Sequence, residues 1–128
     1  MSRVLGRRSA AIAVAAAVIL GLPGPAGAAG NNAAAYRLAA DVSATLGRCW
    51  FAAGEKAFAG YVHASETNAI AGPPRILIVK KSAPHARPDL VIEFRTEGSI
   101  TRVNVYGPLS TSDKAPRISA DINRWAAG

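Results

Sequence analysis

Two segments of the chain carry apolar residues at helical spacing. The first stripe recurs every three or four residues, at Ala35, Leu38, Ala39, Val42 and Leu46. With Asn31 and Asn32 as N-terminal caps and Gly47 as a stop signal, it predicts a helix over 33–46. The second stripe, at i, i+4 and i+7, consists of Ile118, Ile122 and Trp125. With Pro116 in its first turn, it predicts a C-terminal helix.

Between these helices the pattern becomes that of strands. Residues 75–80 are apolar on both faces, which is typical of a central strand. Residues 57–64 alternate more weakly and predict another strand. Residues 48–51 are short and bulky, and the pattern leaves open whether they pair with the sheet.

The clearest local prediction is a β-hairpin. Residues 90–96 and 99–106 flank Glu97-Gly98, which suits a two-residue turn. In that register one face is apolar and the other carries a pair of opposite charges. The expected pairs are Leu90–Val105, Ile92–Val103 and Phe94–Thr101 on the apolar face, and Glu93–Arg102 and Arg95–Ile100 on the other.

These elements predict an α+β fold of order α-β-β-β-β-α. The economical packing is an antiparallel meander of three or four strands, with the N-terminal and C-terminal helices on one face. The expected core consists of Leu38, Val42, Leu46, Leu90, Ile92, Phe94, Val103, Val105, Ile118, Ile122 and Trp125.

The start of the chain has the pattern of an export signal. A positive region holding Arg3, Arg7 and Arg8 precedes an apolar run over 10–22, and Ala26-Gly27-Ala28 supplies small residues for cleavage. The run of about thirteen residues is shorter than a membrane span. We therefore expect residues 1–28 to be a cleavable signal peptide. Residues 29–128 then form a single periplasmic or secreted domain with no transmembrane segment. The pair Arg7-Arg8 is compatible with twin-arginine export as well as with the Sec route, and the sequence does not choose between them.

Composition narrows the function classes. Half of the residues are apolar and 18% are charged, which excludes a disordered chain, and a single cysteine excludes a disulfide framework. The net charge is +7; removing residues 1–28 leaves twelve cations and eight acids, a net charge of +4. A basic exported domain suits an envelope protein or an anionic glycan or lipid surface. The cations lack interleaved aromatics, so a nucleic acid partner is not expected.

Few residues could carry catalysis. Cys49 is the only thiol, and its expected role is a buried apolar group beside Trp50 and Phe51. One alternative is a free reactive thiol or a thiol paired with another chain. Another is a thiol-dependent enzyme using Cys49 with His63. A third is an accessory subunit that docks through Trp50 and Phe51. His63 and His85 have no metal-ligand spacing, and no nucleotide or hydrolase motif is present. We expect neither metal nor cofactor.

Five short segments are similar to a pattern in small exported proteins of alphaproteobacteria. They are Arg48-Cys49-Trp50-Phe51, Phe58-Ala59-Gly60-Tyr61, Pro74-Arg75-Ile76-Leu77, Tyr106-Gly107-Pro108-Leu109 and Arg124-Trp125-Ala126. The resemblance covers most of residues 48–128. It implies that the Cys-Trp-Phe element and the Gly-Pro corner belong to one fold, and it implies no activity and no site residue.

The sequence therefore favours a non-catalytic binding domain. Its partner would be an envelope protein or an anionic envelope component. The polar side of the predicted hairpin is the expected binding patch, consisting of Arg95, Arg102, Asn104 and Tyr106.

Overall fold

The computed structural model describes residues 26–66 and 72–128. The main elements are helix α1 (Ala26–Leu46), strands β1 (Tyr61–Glu66), β2 (Arg75–Lys80), β3 (Leu90–Glu97) and β4 (Ile100–Tyr106), and helix α2 (Ala115–Ala126). The strands form one antiparallel sheet in the order β1-β2-β3-β4. The predicted α+β fold is confirmed. Most of the predicted signal segment, residues 1–25, lies outside the described residues.

One hydrophobic core lies between the sheet and the helices. On the sheet side the fully buried residues alternate along β2 and β3, at Ile76, Ile78, Leu90, Ile92 and Phe94. The helices contribute Ala35, Ala39, Val42, Leu46, Ile118 and Ile122. Of the predicted core, Leu38, Val103, Val105 and Trp125 are half-buried at the margin. Sequence patterning did not place Trp50, Phe58 and Leu109 in the core, and all three are buried there.

The N-terminal helix is longer than the sequence predicts. It already includes Ala26, the first described residue, and continues through Asn31 and Asn32, which were expected to cap it. Alanine has the highest helix propensity, so an alanine-rich start extends the helix beyond these caps. After Leu46 the chain continues as a π-helical segment, Gly47–Ala52, which turns Trp50 into the core.

The first strand lies later in the chain than the predicted 57–64. Lys56–Phe58 forms a short 3₁₀ turn, and the strand begins at Tyr61. The Phe58 ring stacks on the Trp50 ring with 4.2 Å between centroids. Burial of this aromatic pair outweighs the weak alternation that predicted an earlier strand.

The β3–β4 hairpin forms with a different turn. Ile92 pairs with Val105 and Phe94 with Val103, so the two turn residues are Gly98-Ser99 and not Glu97-Gly98. Gly98 has a φ of 61°, whereas every described non-glycine residue has negative φ. A turn at Glu97-Gly98 of type I′ would place Glu97 at positive φ, which a glutamate rarely adopts. The predicted register was wrong, but the same residues still face the core.

Candidate functional site

The face of the sheet opposite the helices carries all four residues predicted to bind a partner. Side chains alternate between the two faces of a strand, and the core takes Leu90, Ile92 and Phe94. The other face, called the open face below, has no described helix over it. Its residues are Val62, Ala64, Glu66, Arg75, Leu77, Val79, Val91, Glu93, Arg95, Glu97, Ile100, Arg102, Asn104 and Tyr106.

Arginine and glutamate side chains form ion pairs across the open face. Arg95 pairs with Glu93 through Nε, and Arg75 pairs with Glu66. The Arg102 Nε donates to Glu97 Oε2 at 2.6 Å. The cross-strand pair predicted between Glu93 and Arg102 was wrong, because the observed register places Asn104 opposite Glu93. The two arginines of the predicted patch are therefore both neutralised by glutamates.

Glu93 lies at the centre of the open face and is only 7% exposed. It accepts a hydrogen bond from the Tyr106 hydroxyl at 3.3 Å, in addition to its contact with Arg95. The hydrogen bond that Arg95 donates to Glu93 raises the pKa of Arg95 above its usual range. A buried carboxylate needs such partners to remain charged. Glu93 therefore orders both Arg95 and Tyr106, two of the predicted binding residues.

A groove of about 720 Å³ lies at the end of the open face near Tyr106. Its floor consists of Leu77, Val79 and Val91, and the loop over 84–88 forms one wall. The volume falls in the range of ligand sites, which are about 300–1,000 Å³. Proline in the loop and apolar side chains beneath it give the groove a mainly apolar surface.

The positive charge that no acid neutralises lies mostly away from the predicted patch. Among the described residues, five cations have no carboxylate partner: Arg37, Arg48, Lys56, Lys81 and Arg87. Arg37 and Arg48 belong to the helical layer, and Arg87 lies in the loop beside the groove. The basic character of the domain is thus spread over its surface.

Cys49 and His63 are not joined in a catalytic arrangement. Cys49 is exposed on the π-helical segment, so the expectation of a buried thiol was wrong. The π-helical turn directs the neighbouring Trp50 inward, and Cys49 remains at the surface. Within the described residues, no hydrogen bond connects the Cys49 thiol to a histidine. This geometry gives the thiol-enzyme alternative no support.

His63 has a packing role on the core side of β1. Its ring stacks on Phe51 with 4.9 Å between centroids. It also lies against Gly47, where a Cβ atom would be 3.2 Å from His63 Cε1. Partial burial lowers the pKa of His63, because desolvation disfavours the charged imidazolium.

The lowered pKa of His63 predicts a loss of stability in mild acid. The unfolded chain, in which the pKa of histidine is about 6.5, binds this proton more readily than the folded chain. The free energy of unfolding should therefore fall as the pH drops through about 6.5, and this contribution should level off below the native pKa. Urea unfolding between about pH 7.5 and pH 5.5 measures it.

Two variants isolate this effect. His63→Phe keeps an aromatic ring against Phe51, and its free energy of unfolding should not show the decrease that protonation of His63 causes. His85→Gln changes an exposed loop residue and should retain it. Parallel pH profiles for the wild type and His63→Phe would show that another group is responsible.

The Trp50–Phe51 pair is largely occupied within the domain. The Trp50 side chain is 1% exposed, and its Nε1 donates to Asp121 Oδ2 at 2.8 Å. Phe51 is half-buried between Phe58 and His63. Docking of both aromatics on a larger assembly would require Trp50 to leave the core, which argues against that alternative.

No family model, curated protein or solved structure gives a significant match. Among the described helices, none has the length and apolar character needed to cross a membrane. The described residues also contain no group of three or more histidine, cysteine or acidic side chains placed to hold a metal ion.

Sequence reasoning missed two features of this face. It assigned Glu93 to an exposed charge pair, although Glu93 is the buried acid that holds Arg95 and Tyr106. The second feature is the loop over 84–88, which lines the groove and was not among the predicted binding residues. The prolines signal a loop, but the direction in which a loop folds has no local sequence signal.

Proposed function

We propose that this protein is an exported, non-catalytic binding domain whose open face docks on an envelope protein. Export is supported by the positive region, apolar run and small-residue site within residues 1–28. Cleavage after Ala28 would release a domain with a periplasmic or secreted location. The resemblance to small exported proteins of alphaproteobacteria agrees with this part of the proposal.

The exposed apolar side chains favour the open face as the binding surface. Three large apolar side chains are exposed among the described residues, namely Val62 at 36%, Ile100 at 55% and Tyr106 at 44%. All three lie on the open face. Single exposed apolar residues are ordinary, but their confinement to one sheet face favours an interaction surface. Tyr106, with a ring and a polar hydroxyl, is a residue type enriched at protein interfaces.

The charges of the open face favour a protein over a polyanion. Arg75, Arg95 and Arg102 are each paired with a glutamate, so the face presents alternating signs. A polyanionic glycan or lipid surface would meet as much repulsion as attraction there. A protein surface can match both signs, and the two exposed pairs, Arg75–Glu66 and Arg102–Glu97, cost little to rearrange. We therefore choose the protein partner over the anionic envelope component.

The proposal is tested by comparing one surface variant with a matched control. The face variant combines Ile100→Ala with Arg102→Glu, two exposed positions outside the core. The control is Arg37→Glu, which makes the same charge change on α1. Tagged wild type, variant and control are purified from the envelope of the native cell, and each co-purifying protein is quantified. The protein recovered with wild type is then purified and titrated against all three.

A protein partner whose Kd rises at least ten-fold for the face variant and is unchanged for Arg37→Glu supports the proposal. Equal binding to all three proteins overturns the placement on the open face. Recovery of an anionic glycan or lipid in place of a protein overturns the choice of partner. Far-UV circular dichroism and the unfolding midpoint establish that each variant is folded.

A further inference from the structure

The outer edge of β1 presents backbone groups that have no described partner. Strand β1 is an edge of the sheet and pairs only with β2. The Lys81 N–H donates to the Gly60 carbonyl at 3.0 Å, so these two opposite residues form a hydrogen-bonded pair of the β1–β2 ladder. Because antiparallel bonding alternates along a strand, Val62, Ala64 and Glu66 bond to β2. The N–H and C=O groups of the intervening residues, Tyr61, His63 and Ser65, therefore point away from the sheet.

This edge lacks the features that normally prevent strand addition. Edge strands are commonly protected by lysine, proline, a bulge or an inward charge. The β1 sequence, Tyr-Val-His-Ala-Ser-Glu, contains no proline, lysine or arginine. The opposite edge strand, β4, carries the exposed Arg102. Of the two edges, β1 is therefore the better template for another strand.

We propose that two copies of this chain associate by antiparallel pairing of their β1 strands across a two-fold axis at His63. In this register Tyr61 lies opposite the partner's Ser65, and His63 lies opposite the partner's His63. Every outward N–H and C=O of the three residues then has a matching group, because each such pair exchanges both hydrogen bonds. On the open face, Val62 lies opposite the partner's Ala64, which places two small apolar side chains together.

Charge complementarity selects a second copy as the occupant of this edge. Glu66 already binds Arg75 of its own chain through Oε2, which leaves Oε1 for a second cation. In the same register Glu66 lies opposite the partner's Gly60, whose neighbour on the next strand is Lys81. Lys81 is exposed and has no carboxylate partner among the described residues. Gly60 has open space where a side chain would be, so it leaves room between Glu66 and the partner's Lys81. The two-fold axis generates this opposite-charge contact twice.

The shape beside β1 also leaves space for a neighbouring strand. A hollow of about 540 Å³ on the core side of the edge is lined by Phe51, Tyr61 and His63, among others. Pairing through one six-residue edge buries less than the roughly 1,200–2,000 Å² of a standard interface. We therefore expect a reversible dimer that dissociates on dilution through the micromolar range.

Sedimentation equilibrium of the purified protein over a wide concentration range tests the proposal. Ser65→Pro removes a backbone N–H that points away from the sheet, and an edge strand tolerates proline at such a position. The variant should raise the dimer Kd at least ten-fold. Ser65→Ala controls for the Ser43–Ser65 hydroxyl contact of 2.6 Å and should still dimerise. Thr101→Pro removes a backbone N–H that points away from the sheet at the other edge strand, β4. This variant should also leave the dimer intact.

A charge exchange tests the register without altering the backbone. Lys81→Glu should weaken the dimer, and adding Glu66→Lys should restore part of the affinity. The proposal is overturned by a wild type that stays monomeric to millimolar concentration, or by a dimer that survives both Ser65→Pro and Lys81→Glu. Dissociation by Thr101→Pro alone would place the interface on β4 and would also overturn it.

Discussion

Trp50→Ala is expected to lower the free energy of unfolding by about 3–5 kcal/mol, the range for removing a large buried aromatic side chain. The indole packs between the Phe58 and Trp125 rings, with centroid distances of 4.2 and 5.3 Å. It also connects the segment after α1 to α2 through its bond to Asp121. Domains of this kind have a total stability of about 5–15 kcal/mol, so this loss is a large fraction of the total.

Trp50→Phe separates the packing contribution from the hydrogen bond. It keeps an aromatic ring and leaves Asp121 without the indole donor, although Arg124 still donates to Asp121 at 2.9 Å and Arg117 at 3.4 Å. Loss of one bond to a charged group predicts a decrease of about 1.5–3 kcal/mol. Urea unfolding followed by circular dichroism measures both variants. A Trp50→Ala variant as stable as Trp50→Phe would contradict the central packing role of the indole.

The fold was predictable because its determining signals are local. The stripes of α1 and α2 recur within one or two helical turns, and the apolar run of β2 marks a central strand. The Trp50–Asp121 contact joins residues 71 positions apart, and no spacing rule connects them. No spacing rule predicts the stacking of Phe58 on Trp50 either. Because this contact holds Phe58 in a 3₁₀ turn, β1 begins later than predicted.

The candidate site was predictable for a related reason. The register of the hairpin was wrong, but the error moved each pairing by two positions along one strand. Strand side chains alternate with a period of two, so such a shift leaves every residue on its face. Arg95, Arg102, Asn104 and Tyr106 therefore share a surface in both registers. The Arg95–Glu93 contact lies within β3 and does not depend on the register. The partner of Arg102 does depend on it, because Arg102 pairs with Glu97 and not with the predicted Glu93.

The corner after β4 predicts the second large effect. Gly107 has φ 113° and ψ 170°, a backbone conformation that is essentially restricted to glycine. A Cβ atom there would lie 2.7 Å from the Asp89 carbonyl oxygen. That oxygen accepts the Leu109 N–H at 2.9 Å, and the Asp89 N–H donates to Ile78 at 2.9 Å. One backbone junction thus fastens the chain after β4 to the start of β3 and the end of β2.

Gly107→Ala should therefore lower the free energy of unfolding by about 3 kcal/mol or more, from backbone strain together with the disrupted Leu109 hydrogen bond. Gly98→Ala is the matched control, because Gly98 also has positive φ, at 61°, but has nothing within 4 Å of the added carbon. Its expected cost is only about 1–2 kcal/mol. The two variants share the loss of a positive-φ glycine, so the difference between them measures the clash with Asp89. Equal unfolding midpoints in urea would show that the corner relaxes without loss, and faster amide exchange at Leu109 in Gly107→Ala alone would locate the damage at this junction.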